Sequence, residues 1–347
     1  MKPTSSKNDH SRMDADMNKL RISMLPAGDI NAASSRLRCF FLGEQLSKLG
    51  VEVLINRHSE AADILFVQKR ITKETLDAAL RVKENGGLVI YDIDDYGPAL
   101  EWLRIDPNIE RLFLKLCDAL IVDTPTRLEV FSDDPKYVGI RDKYVLADPV
   151  DYIPWRSQSN QAISGDRPPR GAWFGNAVNL APAVPFIREL MSHGAVSGFD
   201  AITGQRQLEQ LSRQFPMIGY KPWELKTFAA TLQSYEFTVL IHDSNIEGVQ
   251  KSNNKMLAAM ALGVLPFVSN TPAYSETAAE AGLNELVVLS PLDLVQRVTS
   301  PDLLIDLQAR LQGAHCQGYL SKFLPENVAI EFVQLLDQLL QKRLSNG

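Results

Sequence analysis

The chain has 347 residues, which at roughly 100–200 residues per domain is room for two domains. Hydrophobic residues make up 45% and charged residues 22%, values that exclude a disordered tail, a collagen-like repeat and a disulfide mini-protein. With 36 basic and 42 acidic residues the formal net charge is −6, which argues against a dominant nucleic-acid surface and leaves only a local basic pocket open.

Residues 1–19 are polar, lack the apolar stretch of a secretory signal, and are expected to form a mobile arm. From Leu20 onward, short β-rich runs alternate with helical ones. Arg21 to Leu25 reads as a strand, and Ser34 to Gly50 as a helix capped by Ser34. Strands follow at Val51 to Ile55, Asp63 to Gln68, Gly87 to Asp95, Asp118 to Asp123 and Lys143 to Asp148. These runs are continuously apolar, as expected of a parallel sheet covered on both faces. Residues 151–170 hold Pro154, Pro168, Pro169 and a polar run, and read as a linker. Alternation then restarts, with strands expected at Gly171 to Phe174, Gly198 to Ile202, Met217 to Gly219, Phe237 to His242, Leu265 to Ser269 and Leu286 to Leu289. A last helix carries Val328, Phe332, Leu335, Leu336, Leu339 and Leu340 on one stripe that needs a surface to cover it.

The fold class expected is therefore α/β, with two Rossmann-like, doubly wound domains over 20–150 and 171–325 facing across a cleft. The helix over 326–347 is free to cross back to the first domain. Ligands of such sheets bind at the carboxyl ends of the strands, so the functional residues belong at strand-to-helix junctions.

The most informative segment runs from Glu247 to Glu276, EGVQKSNNKMLAAMALGVLPFVSNTPAYSE. It follows a strand ending near Asp243. Ser252 or Asn253 can cap the helix that carries Met256, Leu257 and Met260. Free amides in that helix's first turn, with Lys251 and Lys255 nearby, suit a phosphate or diphosphate. A plain capped helix start with incidental lysines is the competing reading.

This stretch resembles the nucleotide-sugar signature of GT-B glycosyltransferases, in particular those similar to family 4, the polysaccharide-type group 1 enzymes. The glycine loop GNAVN after Phe174, the Trp223–Glu224–Leu225 helix, SSRLRC and VIYDIDD fit the same resemblance, which covers the chain from about Arg21 onward. It implies Glu247 and Lys251 as catalytic residues, Glu247 against the donor sugar and the developing positive charge, Lys251 on the leaving diphosphate. It implies donor contacts from Gly175, Asn176, Asp243, Ser252, Asn253, Asn254 and Lys255, and acceptor contacts from Ser34, Ser35, Arg36, Asp94 and Asp95. Position 255 departs from the pattern, since the second glutamate of the family is replaced by Lys255, which cannot accept hydrogen bonds from ribose hydroxyls.

Asp92 and Asp94 form a literal D-x-D at a strand end, for which acceptor contacts or a structural role weigh more than metal binding. Arg38 reads as a surface arginine. His242 ends a strand beside Asp243, and both a structural and a site role are open to it. No zinc, P-loop, GxSxG or GxGxxG signature is present. The activity implied is transfer of a sugar from a nucleotide-diphosphate donor to a glycan, lipid-linked or other hydroxyl acceptor, with retention and without metal or other cofactor. A sugar-nucleotide epimerase on the same scaffold and a non-catalytic, degenerate binding module are the alternatives. A cytoplasmic protein with reduced Cys39, Cys117 and Cys316 is expected, peripheral contact with the inner face of a membrane stays open, and no nucleic-acid partner is expected.

Overall fold

The structure is a computed structural model that describes residues 20–57, 59, 61–95, 103–151, 163 and 166–346. The expected N-terminal arm and most of the expected linker lie outside the described residues. The chain divides into two compact units, one formed by residues up to Pro149 together with Pro325 onward, the other by Val150–Leu324.

The first unit is built on a six-stranded sheet of β1 (Arg21–Leu25), β2 (Glu52–Ile55), β3 (Ile64–Gln68), β4 (Leu88–Asp92), β5 (Ala119–Val122) and β6 (Asp142–Val145). The strand order is β2-β1-β3-β4-β5-β6, and every pairing is parallel. Side chains alternate between the faces, so one run of apolar residues serves two cores. Ile64 and Phe66 join Ile22, Met24, Ile90 and Ile121 on one face. Leu65 and Val67 join Val89, Tyr91, Leu120 and Val122 on the other, under the Lys73–Glu84 helix and Phe113 and Phe131. The first face is closed by Leu42 and Leu46 and by the apolar stripe of the last helix, Pro325–Asn346, where Phe332 meets Phe66 edge-on at 5.6 Å between ring centroids.

The helix expected at Ser34 begins one residue earlier and is not capped by Ser34. Ala32 stands at the cap position without a side-chain bond, and the turns run Ala33–Ser35, π-wound Arg36–Phe41 and then Leu42–Lys48. The reason is that the hydroxyls of Ser34 and Ser35 are engaged elsewhere, with Lys69 and Gln68. β6 ends at Val145, short of the expected Asp148, because the Leu146 carbonyl turns to accept from the Arg38 guanidinium at 2.7 Å. β4 likewise ends at Asp92, before the expected Asp95.

The second unit has β7 (Arg170–Phe174), β8 (Gly198–Thr203), β9 (Gly219–Pro222), β10 (Phe237–Leu240), β11 (Leu265–Ser269) and β12 (Val287–Val288), in the order β12-β11-β10-β7-β8-β9, all parallel. β9 starts later than expected because a turn from Phe215 to Ile218 precedes it, and Leu286 belongs to a 3-10 turn ahead of β12. Gly171 in β7 leaves the space in which Phe199 and Phe237 approach each other, ring centroids 6.4 Å apart; a Cβ there would lie 2.6 Å from both rings. Among the described residues no helix is long and apolar enough to cross a membrane.

Candidate functional site

In a doubly wound sheet the crevice lies where successive connections leave in opposite directions. In the second unit that point is between β7 and β10. β7 leads outward to β8, β10 leads the other way to β11, and the two are neighbours. The residues singled out from the sequence in this half of the chain lie on the segments leaving the carboxyl ends of these two strands.

From β7 the chain enters Gly175 at φ +149, a backbone conformation that side-chain-bearing residues rarely adopt. Its carbonyl accepts from Thr203 Oγ1 at 2.7 Å, and its N–H donates to the Ile202 carbonyl at 3.1 Å, so β8 fixes the loop. Asn176 is exposed and caps the short turn that follows, accepting weakly from the Val178 N–H at 3.4 Å.

From β10 the chain passes His242 and the exposed Asp243 into a single helical turn, Ile246–Val249, capped by Asn245. Gly248 crosses directly over the backbone of Asp243: a Cβ at 248 would overlap the Asp243 carbonyl. Glu247 sits in this turn with Oε1 buried and without a hydrogen-bond partner among the described residues. A buried carboxylate oxygen left unbonded is costly, and groups of this kind concentrate where a ligand completes the bonding.

The Asn254–Ala261 helix begins next. Asn253 occupies its cap position but does not cap it; the side-chain amide donates instead to Thr277 Oγ1 at 2.8 Å. Asn253 therefore does not supply the expected cap. The half-buried Asn254 is the first helical residue. Lys255 Nζ rests over the Trp173 ring, 5.7 Å from its centroid, and close against the Gly175 backbone. Burial, with the neighbouring charge of Lys251, holds Lys255 down to about 8. Burial and the same two lysines push His242 down to about 3, so its ring is neutral near pH 7. His242 Nε2 lies 3.0 Å from the Tyr274 hydroxyl, with the rings stacked. The segment thus gathers two cations, a helix start that the Asn253 side chain leaves uncapped and one carboxylate oxygen with no hydrogen-bond partner among the described residues.

The first unit places its predicted residues at the equivalent point, beyond β1, β3 and β4. Lys69, which the sequence reading passed over, organises them. It follows β3 at φ +54, is 4% exposed, and its ammonium lies 3.1 Å from Ser34 Oγ, 2.7 Å from Asp94 Oδ1 and 2.5 Å from Asp95 Oδ2. Asp94 is held below the usual carboxylate range by Lys69 against the opposing effect of burial. Ser35 is fully buried, donating to Gln68 Oε1 and accepting from the Gly28 N–H, both at 2.9 Å. Arg36 is buried as well and donates to the Ile30 and Asn31 carbonyls. Both side chains brace the loop after β1, and of the three only Ser34 is half-exposed.

Arg38 is not a surface residue. It is 2% exposed, grips Asp92 through two nitrogens and reaches Asp148 at 3.2 Å. Asp92 of the D-x-D is thereby committed to an internal ion pair. Among the described residues no group of three or more histidine, cysteine or acidic side chains is placed to hold a metal ion.

No protein-family model matches the sequence, and no curated protein matches it. Solved structures do match in fold. An α-glucosyltransferase, in complex with UDP and a 13-mer DNA containing an HMU base, is 10% identical with a TM-score of 0.63, over 92% of this chain and 99% of that one. An O-GlcNAc transferase of Thermobaculum terrenum is 12% identical with a TM-score of 0.59, over 95% of this chain and 69% of its own. TarM is 10% identical with a TM-score of 0.54 over 80% of this chain, which spans only 55% of TarM's length. The two parallel sheets, their strand orders and these matches give the chain the fold of the GT-B glycosyltransferases.

Proposed function

We propose that the protein is a glycosyltransferase that takes a sugar from a nucleotide-diphosphate donor and passes it to a hydroxyl of a glycan or lipid-linked acceptor, with retention and without a metal. The observation that carries this reading is the grouping beyond β7 and β10 of cationic lysines, a helix start that the Asn253 side chain does not cap and a carboxylate oxygen with no partner among the described residues. Lys251, Lys255 and the amides at the helix start match a diphosphate in charge and hydrogen-bonding type. As the bond between anomeric carbon and phosphate lengthens, negative charge grows on the diphosphate and positive charge on the sugar carbon. Lys251 would stabilise the first and Glu247 the second. Gly175 lets the backbone approach the donor closely, while Asn176, Asp243, Ser252, Asn253 and Asn254 would line it. In the first unit Ser34, Asp94 and Asp95, held by Lys69, would meet acceptor hydroxyls, with Ser35 and Arg36 shaping the loop beside them.

This reading takes the enzyme to be cytoplasmic, with peripheral membrane contact only if the acceptor is lipid-linked. The test is a panel of UDP-, GDP-, ADP-, dTDP- and CDP-sugars incubated with purified protein, with and without glycan and lipid-phosphate acceptors, read by release of the nucleoside diphosphate. Turnover lost in Glu247→Ala and in Lys251→Ala, with the proteins still folded, supports the roles given. Turnover unchanged in both removes them. Isomerised donor sugar without acceptor would favour an epimerase, and tight donor binding with no turnover a degenerate binding module.

A further inference from the structure

The first unit has a crevice of its own. β1 leads to β2 on one side, β3 leads to β4 on the other, and β1 and β3 are neighbours, so the connections diverge between them. Gln68, the last residue of β3, lies at that point and is fully buried. Its Oε1 accepts from the Ala27 N–H at 3.0 Å and from Ser35 Oγ at 2.9 Å. The Ala27 N–H can only donate, so it fixes which end of the amide meets the loop after β1. Nε2 is left on the other arm, buried, with no acceptor among the described residues. A buried donor of this kind is costly unless a ligand or water completes it. Nearby, Ser34 Oγ accepts from Lys69, which leaves the hydroxyl proton to give.

The buried positive charge at this end of the sheet is already spent. Lys69 meets Asp94 and Asp95, Arg38 meets Asp92 and Asp148, Arg127 meets Asp123, and Arg36 donates to the Ile30 and Asn31 carbonyls. Arg57 and Arg70, which follow β2 and β3, are exposed, where water and salt screen them.

We propose that Gln68 is a direct contact of the acceptor, and that the group it takes is an uncharged sugar hydroxyl, not a phosphate or carboxylate. The inference rests on reading the protein as a transferase whose acceptor enters the first unit. A hydroxyl can accept from the Gln68 amide while donating to a carboxylate such as Asp94 or Asp95. A phosphate could also use the amide, but it would set negative charge against those two carboxylates.

The experiment measures transfer from whichever of the UDP-, GDP-, ADP-, dTDP- and CDP-sugars releases its nucleotide. The acceptors are methyl glycosides of glucose, mannose, galactose and N-acetylglucosamine. Each is run beside its 4-phosphate and 6-phosphate, so that at least one of the two leaves the receiving hydroxyl free. The best neutral glycoside is then replaced by its monodeoxy analogues. Wild-type kcat/KM should be roughly tenfold or more higher on the neutral glycoside than on the better of its phosphates. One monodeoxy analogue should lose roughly tenfold or more in the wild type and lose nothing further in Gln68→Met. Gln68→Met should raise the KM for acceptor and leave the KM for donor unchanged. A glutamine that only braces the loop after β1 would raise the acceptor KM with every analogue penalised as in the wild type, and that result overturns the contact. A phosphate used as well as its parent overturns the neutral class, and this comparison needs no variant. Should Gln68→Met melt below the assay temperature, Gln68→Glu, which keeps an oxygen toward Ala27, takes its place. Nucleotide release with transfer to none of the glycosides overturns the inference and leaves the donor site standing. No release from any sugar nucleotide overturns the transferase reading and this inference with it.

Discussion

The Lys255 ammonium and the Gly175 α-carbon are packed so closely that a single methyl group on the glycine would come within 2.8 Å of the nitrogen. The backbone at Gly175 is also at φ +149, outside the range open to alanine at little cost. Gly175→Ala should therefore combine a local strain of roughly 1–3 kcal/mol with displacement of Lys255. The expected outcome is a lowered melting temperature and weakened nucleoside-diphosphate binding. Unchanged binding would mean that Lys255 does not need this notch.

Glu247 is the one acidic side chain in its turn, with a buried oxygen that bonds to none of the described residues. Glu247→Gln keeps the size and removes the charge. If that charge acts on the transition state, turnover should fall by roughly 10²–10³-fold while donor affinity changes little. Steady-state kinetics alongside direct binding separates the two. An equal loss in both would make Glu247 a ground-state contact.

Arg38 lies between Asp92 and Asp148 in the interior of the first unit. Arg38→Met leaves two buried carboxylates without their cation and should cost about 3–5 kcal/mol in unfolding free energy. Denaturant unfolding would measure it. Arg38→Met with Asp92→Asn should recover part of the loss, because the stranded charge is removed.

Stability should also depend on pH in a definite direction. Burial, against the pull of Arg38, holds Asp92 up to about 6, and burial with nearby carboxylates holds Asp123 up to about 8. Both lie above the unfolded carboxylate value of roughly 4. Between those limits the native state binds protons that the unfolded chain has released, so stability falls as pH rises through the window. Below about pH 6.5 His242, held down to about 3, acts in the opposite sense, so the fall is read between pH about 6.5 and about 8, where urea midpoints should drop and Asp123→Asn should flatten the drop. A midpoint that rises with pH would contradict the assignment.

The sheets were legible because strands buried on both faces read as unbroken apolar runs, and the alternation of Ile64, Leu65, Phe66 and Val67 between two cores requires apolar residues at every position. The helix after Glu247 was legible through the core spacing of Met256, Leu257 and Met260, which the structure buries in Asn254–Ala261. Lys69 was not: one lysine after a strand is indistinguishable from a surface residue until the backbone turns left-handed and brings Asp94 and Asp95 to it. Arg38 offered a usable signal, since it stands three residues after Ser35 and four before Leu42, on the buried stripe of its helix. The capping errors have a common cause: Ser34 and Asn253 each bond across to another segment, and no local pattern reveals a competing partner that far along the chain.

The last helix lays Val328, Phe332 and Leu336 into the core of the unit whose other residues run up to Pro149. During synthesis that core stays bare on one side until residues 325–346 have left the ribosome, long after its six strands have emerged. The half of the protein made first is thus the half whose core is completed last, whereas Val150–Leu324 carries all of its own core.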